Sequence, residues 1–577
     1  MEAKAPAILG SFYGSDEFAI DWKDGEKDLF WILDDLHCPN PLSPMFFDIG
    51  GWWLTCDHMF RRFGTPFASD WIAKNINGYL YTAAVPANAS VRAEASEFQA
   101  RYVPRVPDND EYAGKIGPYL GNVLPYYAEN FIDWWRDRIR PEIERNFEYI
   151  DGFDTKKASL TALAILLEDA MDIHDRHWKI HWMLNFSQFS STMALNGAIS
   201  ELKPNAKPDL MGRLQNSVDD KNWDSIEQLW QMKEEIKTDS ILKQAFEVET
   251  AKGVLAALEA SPRGKTFLAE KLRPYQEAFG HKAIWSHEVC FPLWRENPGP
   301  IIEAIRGYII TDYDYPKTID AVHRDLAGAV KELMDGVPAG EGRDRLQSAL
   351  DMSLKMNPLT PDHHFFIDQG TNARLRTVLI AIGHKLVELD VIDDAEDIVF
   401  LRYNELRALI GDQKAYDART LVSDRRDERE ESSAIRPPEW VGTATEEALA
   451  FPYASLWGFP EKFHRKPASK TGEIKGLAAS PGVIEGPARL VMTVEEFDQV
   501  KKGEILVCRM TNPAWVVLFT KIAGLVTDAG GSASHSAVVA REFGLPAVVG
   551  TSYATQQIKT GDRVRVNGTT GVVDILS

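Results

Sequence analysis

The chain has 577 residues, 44% of them hydrophobic and 26% charged, which is too long for one core and typical of a soluble globular protein, so two or three domains are expected. A formal charge of −21 argues against nucleic acid as a partner. No apolar run approaches the ~20 residues of a membrane span, Met1 to Gly10 lacks the pattern of a signal peptide, and Cys38, Cys56, Cys290 and Cys508 are too scattered to form a metal-type pair, which points to a reduced, cytoplasmic protein. The charge is uneven. From Lys475 to Ser577 there are ten Lys/Arg and nine Asp/Glu, a net of +1, so the preceding part carries about −22. A near-neutral segment tethered to an acidic body is compatible with docking at more than one surface, although solubility explains the acidity equally well.

Residues 1–100 are rich in Trp, Phe and Pro. The segment Trp31 to Phe47, with Pro39, Pro41 and Pro44, is expected to be extended or turning rather than one helix. From about Ile132 the pattern turns helical. Ser159 to Asn185 has apolar residues at three and four spacing, and His174, His177 and His181 share one face of it. That stripe reads as the lining of an acceptor pocket, as a metal site, or as a mixed polar and aromatic helix face. Residues 205–275 look like charged amphipathic helices. Gly264-Lys265-Thr266 ends like a phosphate loop, but Glu259 stands where the partner glycine belongs and no strand precedes it.

In Phe279 to Tyr308, Lys282, Glu288 and Arg295 read either as the lining of a cleft or as structural ion pairs. Asp362 to Asp368 includes His363 and His364, read as an extended stretch with adjacent side chains on opposite sides. A helix bearing Arg374 and Arg376 follows. A histidine there could take the proton of an attacking hydroxyl, and an arginine could hold phosphoryl oxygens. Asp424 to Glu431 reads as a solvated helix or loop. Pro437-Pro438 breaks any helix, and Glu461 to Glu473 reads as a hinge.

The last hundred residues carry the strongest signal. Thr527 to Gly550 reads strand, glycine turn, helix, strand. Gly530 and Gly531 open the turn, Ser532 or Ser534 can cap the helix, and Gly544 and Pro546 end it. His535 lies in the first helical turn, where unpaired N–H groups attract phosphate and an imidazole can act as a nucleophile. Asn567-Gly568 marks a closing hairpin.

The stretch GGSASHSAVVAREFGLPAVVG resembles the phosphohistidine motif of the phosphoenolpyruvate-utilising enzymes, the pyruvate dikinase and phosphoenolpyruvate synthase group. Ala533 stands at the usual threonine, a position that varies in relatives not handling pyruvate, and Ser536 stands at the first alanine. The resemblance implies that His535 is phosphorylated at one site and carried by a swivelling domain to another. Thr527, Gly530, Gly531 and Ser534 are then expected to hold the imidazole or the phosphoryl group. The segments at Trp31 to Phe47, Phe279 to Tyr308 and Thr360 to Phe400 are similar to the acceptor region of rifampin phosphotransferase-like and phenylphosphate synthase-like members. His363 and His364 are therefore catalytic candidates, and Trp31, Lys282, Arg374 and Arg376, with His177 and His181 of the helical stripe, are substrate-binding ones.

The expected architecture is multidomain. A largely α-helical acceptor-binding body (1–435) and a linker (436–474) precede a C-terminal swivelling α/β phosphohistidine domain (475–577). No glycine-rich ATP site is evident before the motif, and there is no room for a pyruvate-handling barrel behind it. The expectation is therefore a dikinase-type phosphotransferase in a hetero-oligomer. An ATP-grasp partner subunit binds ATP with Mg²⁺ or Mn²⁺, and the acceptor is small and phenolic. A rifampin-type antibiotic phosphotransferase and a non-catalytic phosphohistidine carrier or regulator are the alternatives. Whether a metal sits in the acceptor site is left open.

Overall fold

The computed structural model describes residues 8–35, 37–63, 70–85, 110–207, 210–450, 454, 472–492, 494–511, 515–530 and 534–576. The chain forms two compact units. One comprises Met1–Ser190, Ser286–Cys290 and Phe366–Arg465, the other Ser191–Trp285, Phe291–Phe365 and Lys466–Ser577.

The first unit contains an antiparallel sheet that its composition hid. Strands β1 (Ile8–Phe12), β2 (Phe30–Leu33), β3 (Asp70–Ile76), β4 (Tyr79–Val85) and β5 (Trp440–Thr445) lie in the order β1-β5-β2-β4-β3. Strand β5 falls inside the span read as linker, yet it pairs with both β1 and β2. Asn77 and Gly78 join β3 to β4 with φ of 50° and 83°, the left-handed pair that a tight hairpin needs. Trp31, Ile72, Tyr79, Tyr81 and Val441 fill the core on this sheet. Lys74 and Glu26 form a buried ion pair at 2.7 Å.

Helices make up the rest of this unit and begin earlier than Ile132, with Asp110–Trp134. A π-helical turn, Trp135–Ile139, joins that helix to Arg140–Asp151. The helix carrying the histidine stripe runs over Leu160–Leu202. The proline-rich segment does turn, but at Ser43 it caps a short helix, Pro44–Ile49, with Pro44 at the first helical position. The Glu288 carboxylate accepts from Ser43 N (2.6 Å), Ser43 Oγ (2.6 Å), Val289 N (2.7 Å) and Cys290 N (3.2 Å). It anchors the capping segment rather than lining a cleft.

In the second unit, helices Tyr315–Met334 and Glu341–Met356 enclose Leu195, Leu214, Leu333, Leu346 and Leu350. Gly264 lies in a helix, Pro262–Phe267, capped by Ser261, so the Gly-Lys-Thr triplet makes no phosphate loop. The C-terminal part of this unit is an eight-stranded sheet. Its strands are β6 (Glu473–Lys475), β7 (Leu477–Ser480), β8 (Val483–Leu490), β9 (Ile505–Cys508), β10 (Gly524–Thr527), β11 (Ala547–Val549), β12 (Arg563–Asn567) and β13 (Val572–Ile575). The order is β6-β13-β12-β8-β9-β10-β11-β7, with β8 to β11 parallel and the rest antiparallel. The hairpin after Asn567 is present. The architecture is thus multidomain, a mainly helical body followed by a mixed α/β C-terminal domain. Among the described residues, no helix is long and apolar enough to cross a membrane.

Candidate functional site

Parallel strands β9, β10 and β11 end on one side of their sheet, the side on which open α/β sheets bind ligands. Thr527 ends β10, is fully buried, and its hydroxyl donates to the Ala529 carbonyl at 2.7 Å, which fixes the start of the turn. Gly530 has φ +116°, and a Cβ there would meet Ser534 Oγ at 2.8 Å, so the turn admits only glycine. Ser534 is the N-cap, its Oγ accepting from Ala537 N–H at 3.4 Å, and the helix His535–Glu542 starts at His535. Gly531, Ser532 and Ala533 lie outside the described residues.

Neighbouring side chains fix this helix end. Thr511 N–H donates to Ser536 Oγ at 3.2 Å, and the two hydroxyls are 2.9 Å apart, so the serine that replaces the family's alanine ties the helix to the segment after β9. Asp528 accepts from Thr551 Oγ1 (3.3 Å), Thr555 N (3.0 Å) and Thr555 Oγ1. Arg541 donates to the Ala479 carbonyl at 3.1 Å and so braces β7.

A second polar cluster lies in the first unit. Asp34 is fully buried and accepts from His37 N (3.0 Å), His37 Nδ1 (2.9 Å) and Trp52 Nε1 (3.1 Å). Burial disfavours both charges, yet the pairing outweighs it, lowering the Asp34 carboxyl and raising the His37 imidazole. The His37 ring lies 5.0 Å from the ring of His287. The His287 Nε2 is 3.8 Å from Asp368 Oδ2, and the His181 Nε2 is 3.8 Å from Asp368 Oδ1. Trp178 packs on both imidazoles, 4.7 Å from His181 and 6.0 Å from His287. Four chain segments thus bring three histidines and two buried carboxylates to one aromatic-walled place.

Of the residues singled out in the sequence, His181 belongs to this cluster. His177 is bonded at both ring nitrogens, to Thr371 Oγ1 (2.8 Å) and Asn146 Nδ2 (3.0 Å), and burial pushes its imidazole down to about 3. Likewise His174 donates to the Gly50 carbonyl at 3.0 Å, with burial pushing it down to about 4. The shared stripe therefore divides among three different environments. Trp31 is a core residue whose Nε1 donates to the Glu26 carbonyl at 2.8 Å, so it packs the sheet and walls no pocket.

Arg374 lies 3.8 Å over the Phe147 ring and pairs with Asp151. Arg376 is buried and donates to the Val289 carbonyl (2.6 Å) and Glu396 (2.7 Å). Both sit on one continuous helix, Asn372–Glu388. In the second unit, Lys282 is buried over Phe279 and Trp294 and donates to Ser225 Oγ at 2.9 Å. Burial pushes its amine down to about 8, against the pull of Asp220. His363 and His364 do not sit on an extended chain. His363 ends the helix Leu359–His363 and donates from Nδ1 to Leu359 O at 2.8 Å, and His364 opens the π-helix His364–Thr371. Helical backbone brings their rings to 4.1 Å instead of sending them to opposite sides.

Sequence reasoning missed Asp34, His37, His287 and Asp368. The Asp34-Asp35-Leu36-His37 spacing was the available signal, since a side chain three residues on can return to its partner.

Comparison with known proteins agrees with the C-terminal geometry. Residues 500–571 match the mobile domain of PEP-utilising enzymes, and residues 181–357 match the fourth domain of rifampicin phosphotransferase. The chain is 26% identical to chondramide synthase cmdD of Chondromyces crocatus over 97% of its own length and 14% of that protein's. It is 27% identical to the uncharacterized phosphotransferase YvkC of Bacillus subtilis, over 79% of this chain and 53% of YvkC. It is 29% identical to a rifampicin phosphotransferase of Streptomyces sviceus, over 54% of this chain and 35% of that one. The chain therefore spans at most about half the length of these relatives. The chain thus resembles the PEP-utilising enzymes in their rifampicin phosphotransferase-like form, most specifically over residues 500–571.

Proposed function

We propose that the chain is the phosphohistidine- and acceptor-bearing part of a dikinase-type phosphotransferase. The observation that carries this reading is the capped helix beginning at His535, behind the Gly530 turn and at the carboxyl end of β10, within the matched mobile domain. The first-turn amides face the place where phosphoryl oxygens would sit. A ring nitrogen of His535 attacks the β-phosphorus of ATP. Water takes up the γ-phosphoryl group, so AMP and phosphate leave. The acceptor hydroxyl then attacks phosphohistidine, the N–P bond breaks, and the hydroxyl proton passes to a base.

ATP and its Mg²⁺ or Mn²⁺ are assigned to an ATP-grasp partner subunit. The carboxylate of the phosphohistidine turn supports that assignment, because Asp528 is already taken up by Thr551 and Thr555 and is a poor ligand for a further cation. A small phenol is the proposed acceptor, since the cluster at Asp34, His37, His181, His287 and Asp368 combines imidazoles that could take a hydroxyl proton with the aromatic faces of Trp52 and Trp178. The match of residues 181–357 favours a second reading, a rifampicin-type acceptor. The test is AMP release by the chain with an ATP-grasp subunit, over a panel of phenols and a rifamycin. Phenol-dependent AMP supports the main reading. Rifamycin-dependent AMP alone supports the second, and no AMP with any acceptor overturns both.

A further inference from the structure

We propose that His37 is the general base that takes the proton of the acceptor hydroxyl, and that Asp34 is its positioning residue. Local backbone sets the pair up. Asp34 follows β2, and its N–H donates to the Leu80 carbonyl of β4 at 2.9 Å, which ties it to the sheet. The Cys38 N–H donates to the Asp34 carbonyl at 3.1 Å, and this turn brings the His37 ring back to the carboxylate three residues before it. His37 Nδ1 lies 2.9 Å from Asp34 Oδ1, and the His37 N–H donates to the same oxygen at 3.0 Å. The Trp52 indole donates to the other oxygen at 3.1 Å, and its ring lies 5.9 Å from that of His37. Trp71 and Trp182 pack on that indole at 5.0 and 5.7 Å. All of these residues belong to the first unit.

A carboxylate held in this way fixes both the orientation and the tautomer of an imidazole. Nδ1 keeps its hydrogen, and proton exchange with a bound hydroxyl falls to Nε2. Access selects His37 within the cluster. Its side chain is 30% exposed, against 9% for His181 and His287 and 0% for Asp34. Its charge balance suits a base near neutrality. Burial opposes the imidazolium, but Asp34, Asp368 and Asp35 together raise it above the usual 6.5, with the His287 ring alongside. Resting on the function proposed above, the acceptor O–H bond breaks, its proton goes to Nε2, and the oxygen attacks the phosphorus on His535. The N–P bond breaks and its electron pair returns to the His535 ring. The His37 imidazolium then gives its proton to water, and Asp34 stays ionised throughout.

The test follows transfer alone. Chain phosphorylated beforehand with ATP and an ATP-grasp subunit is freed of nucleotide and mixed with phenol, and loss of acid-labile phosphate is read in a single turnover. A chain that takes up no phosphate contradicts the phosphotransfer reading, whereas a phosphorylated chain tests His37 directly. His37→Gln should slow transfer by about a hundredfold, with the half-saturating phenol concentration little changed. In the unaltered chain the rate should rise with pH and level off above a midpoint higher than 6.5. Asp34→Asn should lower that plateau roughly tenfold or more and move the midpoint down, which a merely structural carboxylate would not do. Unchanged transfer in folded His37→Gln overturns the base, and an unmoved midpoint in Asp34→Asn overturns its positioning. A second measurement, imidazole NMR of the full chain with isotope-labelled histidine, needs neither ATP nor a partner. His37 should carry its hydrogen on Nδ1 at high pH, and its signals should shift when phenol is added. An Nε2-protonated ring or no response to phenol overturns the proposal, and this readout on the unaltered chain holds even where a variant fails to fold.

Discussion

The phosphohistidine turn and the buried histidine–aspartate cluster are built by opposite means. The turn is made of backbone. A strand end, one left-handed glycine, one capping serine and the first amides of a helix lie within eleven residues, Thr527 to Ala537. The cluster is made of side chains from four separate segments, around residues 34–52, 178–181, 287 and 368. A backbone-built anion site tolerates change in most side chains but not in its glycine. A side-chain-built site depends on every segment being in place. The comparison therefore predicts chemical loss from changes in the turn and folding loss from changes in the anchors of the body.

The largest effect belongs to His535→Ala. With the nucleophile gone, acid-labile phosphate on the chain and acceptor-dependent AMP release should fall by roughly a thousandfold or more. Retained turnover would break the assignment of the turn as the chemical site.

Glu288→Ala should act on folding instead. It leaves the Ser43, Val289 and Cys290 donors without their buried carboxylate and should cost about 3 kcal/mol in urea melts. A Tm within a degree of the unaltered chain would show that the anchor is dispensable.

Acid should weaken the first unit by a similar amount. The His174 imidazole is held near 4 by burial, against 6.5 when exposed. The unfolded chain then binds the proton first, so stability is complete above about pH 6.5 and declines as pH falls toward 4, by about 3 kcal/mol from this group. His174→Gln should flatten that part of the stability–pH curve, and an unchanged curve would exclude the group as its origin.

Gly530→Ala should be smaller, about 2 kcal/mol from the positive φ and the 2.8 Å clash with Ser534 Oγ. Its signature is lower phosphorylation of His535 in a chain that still melts cooperatively. Ser534→Ala should be smallest, about 1 kcal/mol for a lost cap.

The order of these effects follows from what the sequence made legible. Strand β10, the cap, the helix from His535, Gly544 at φ +63° and strand β11 all stand where local rules place them. The closing hairpin does too. The sheet of the first unit was not legible. Phe30–Leu33 is a four-residue apolar run, too short for periodicity to separate strand from helix, and its partner Trp440–Thr445 lies more than 400 residues away. Trp31 carried an aromatic signature that reads equally as pocket wall or core, and only packing decided for core. His363 and His364 were placed on opposite sides because a π-helical continuation has no reliable sequence mark.

By itself, the sequence determined the phosphohistidine helix and its turn, because each requirement there is local: a glycine for a positive φ, an oxygen for an orphan N–H, an imidazole at a helix start. Tertiary structure alone decided which histidines are core and which are chemical. His174, His177 and His181 share one helix face, yet the first meets a carbonyl, the second an amide and a hydroxyl, and the third a buried carboxylate. Their roles depend on partners that only long-range packing delivers.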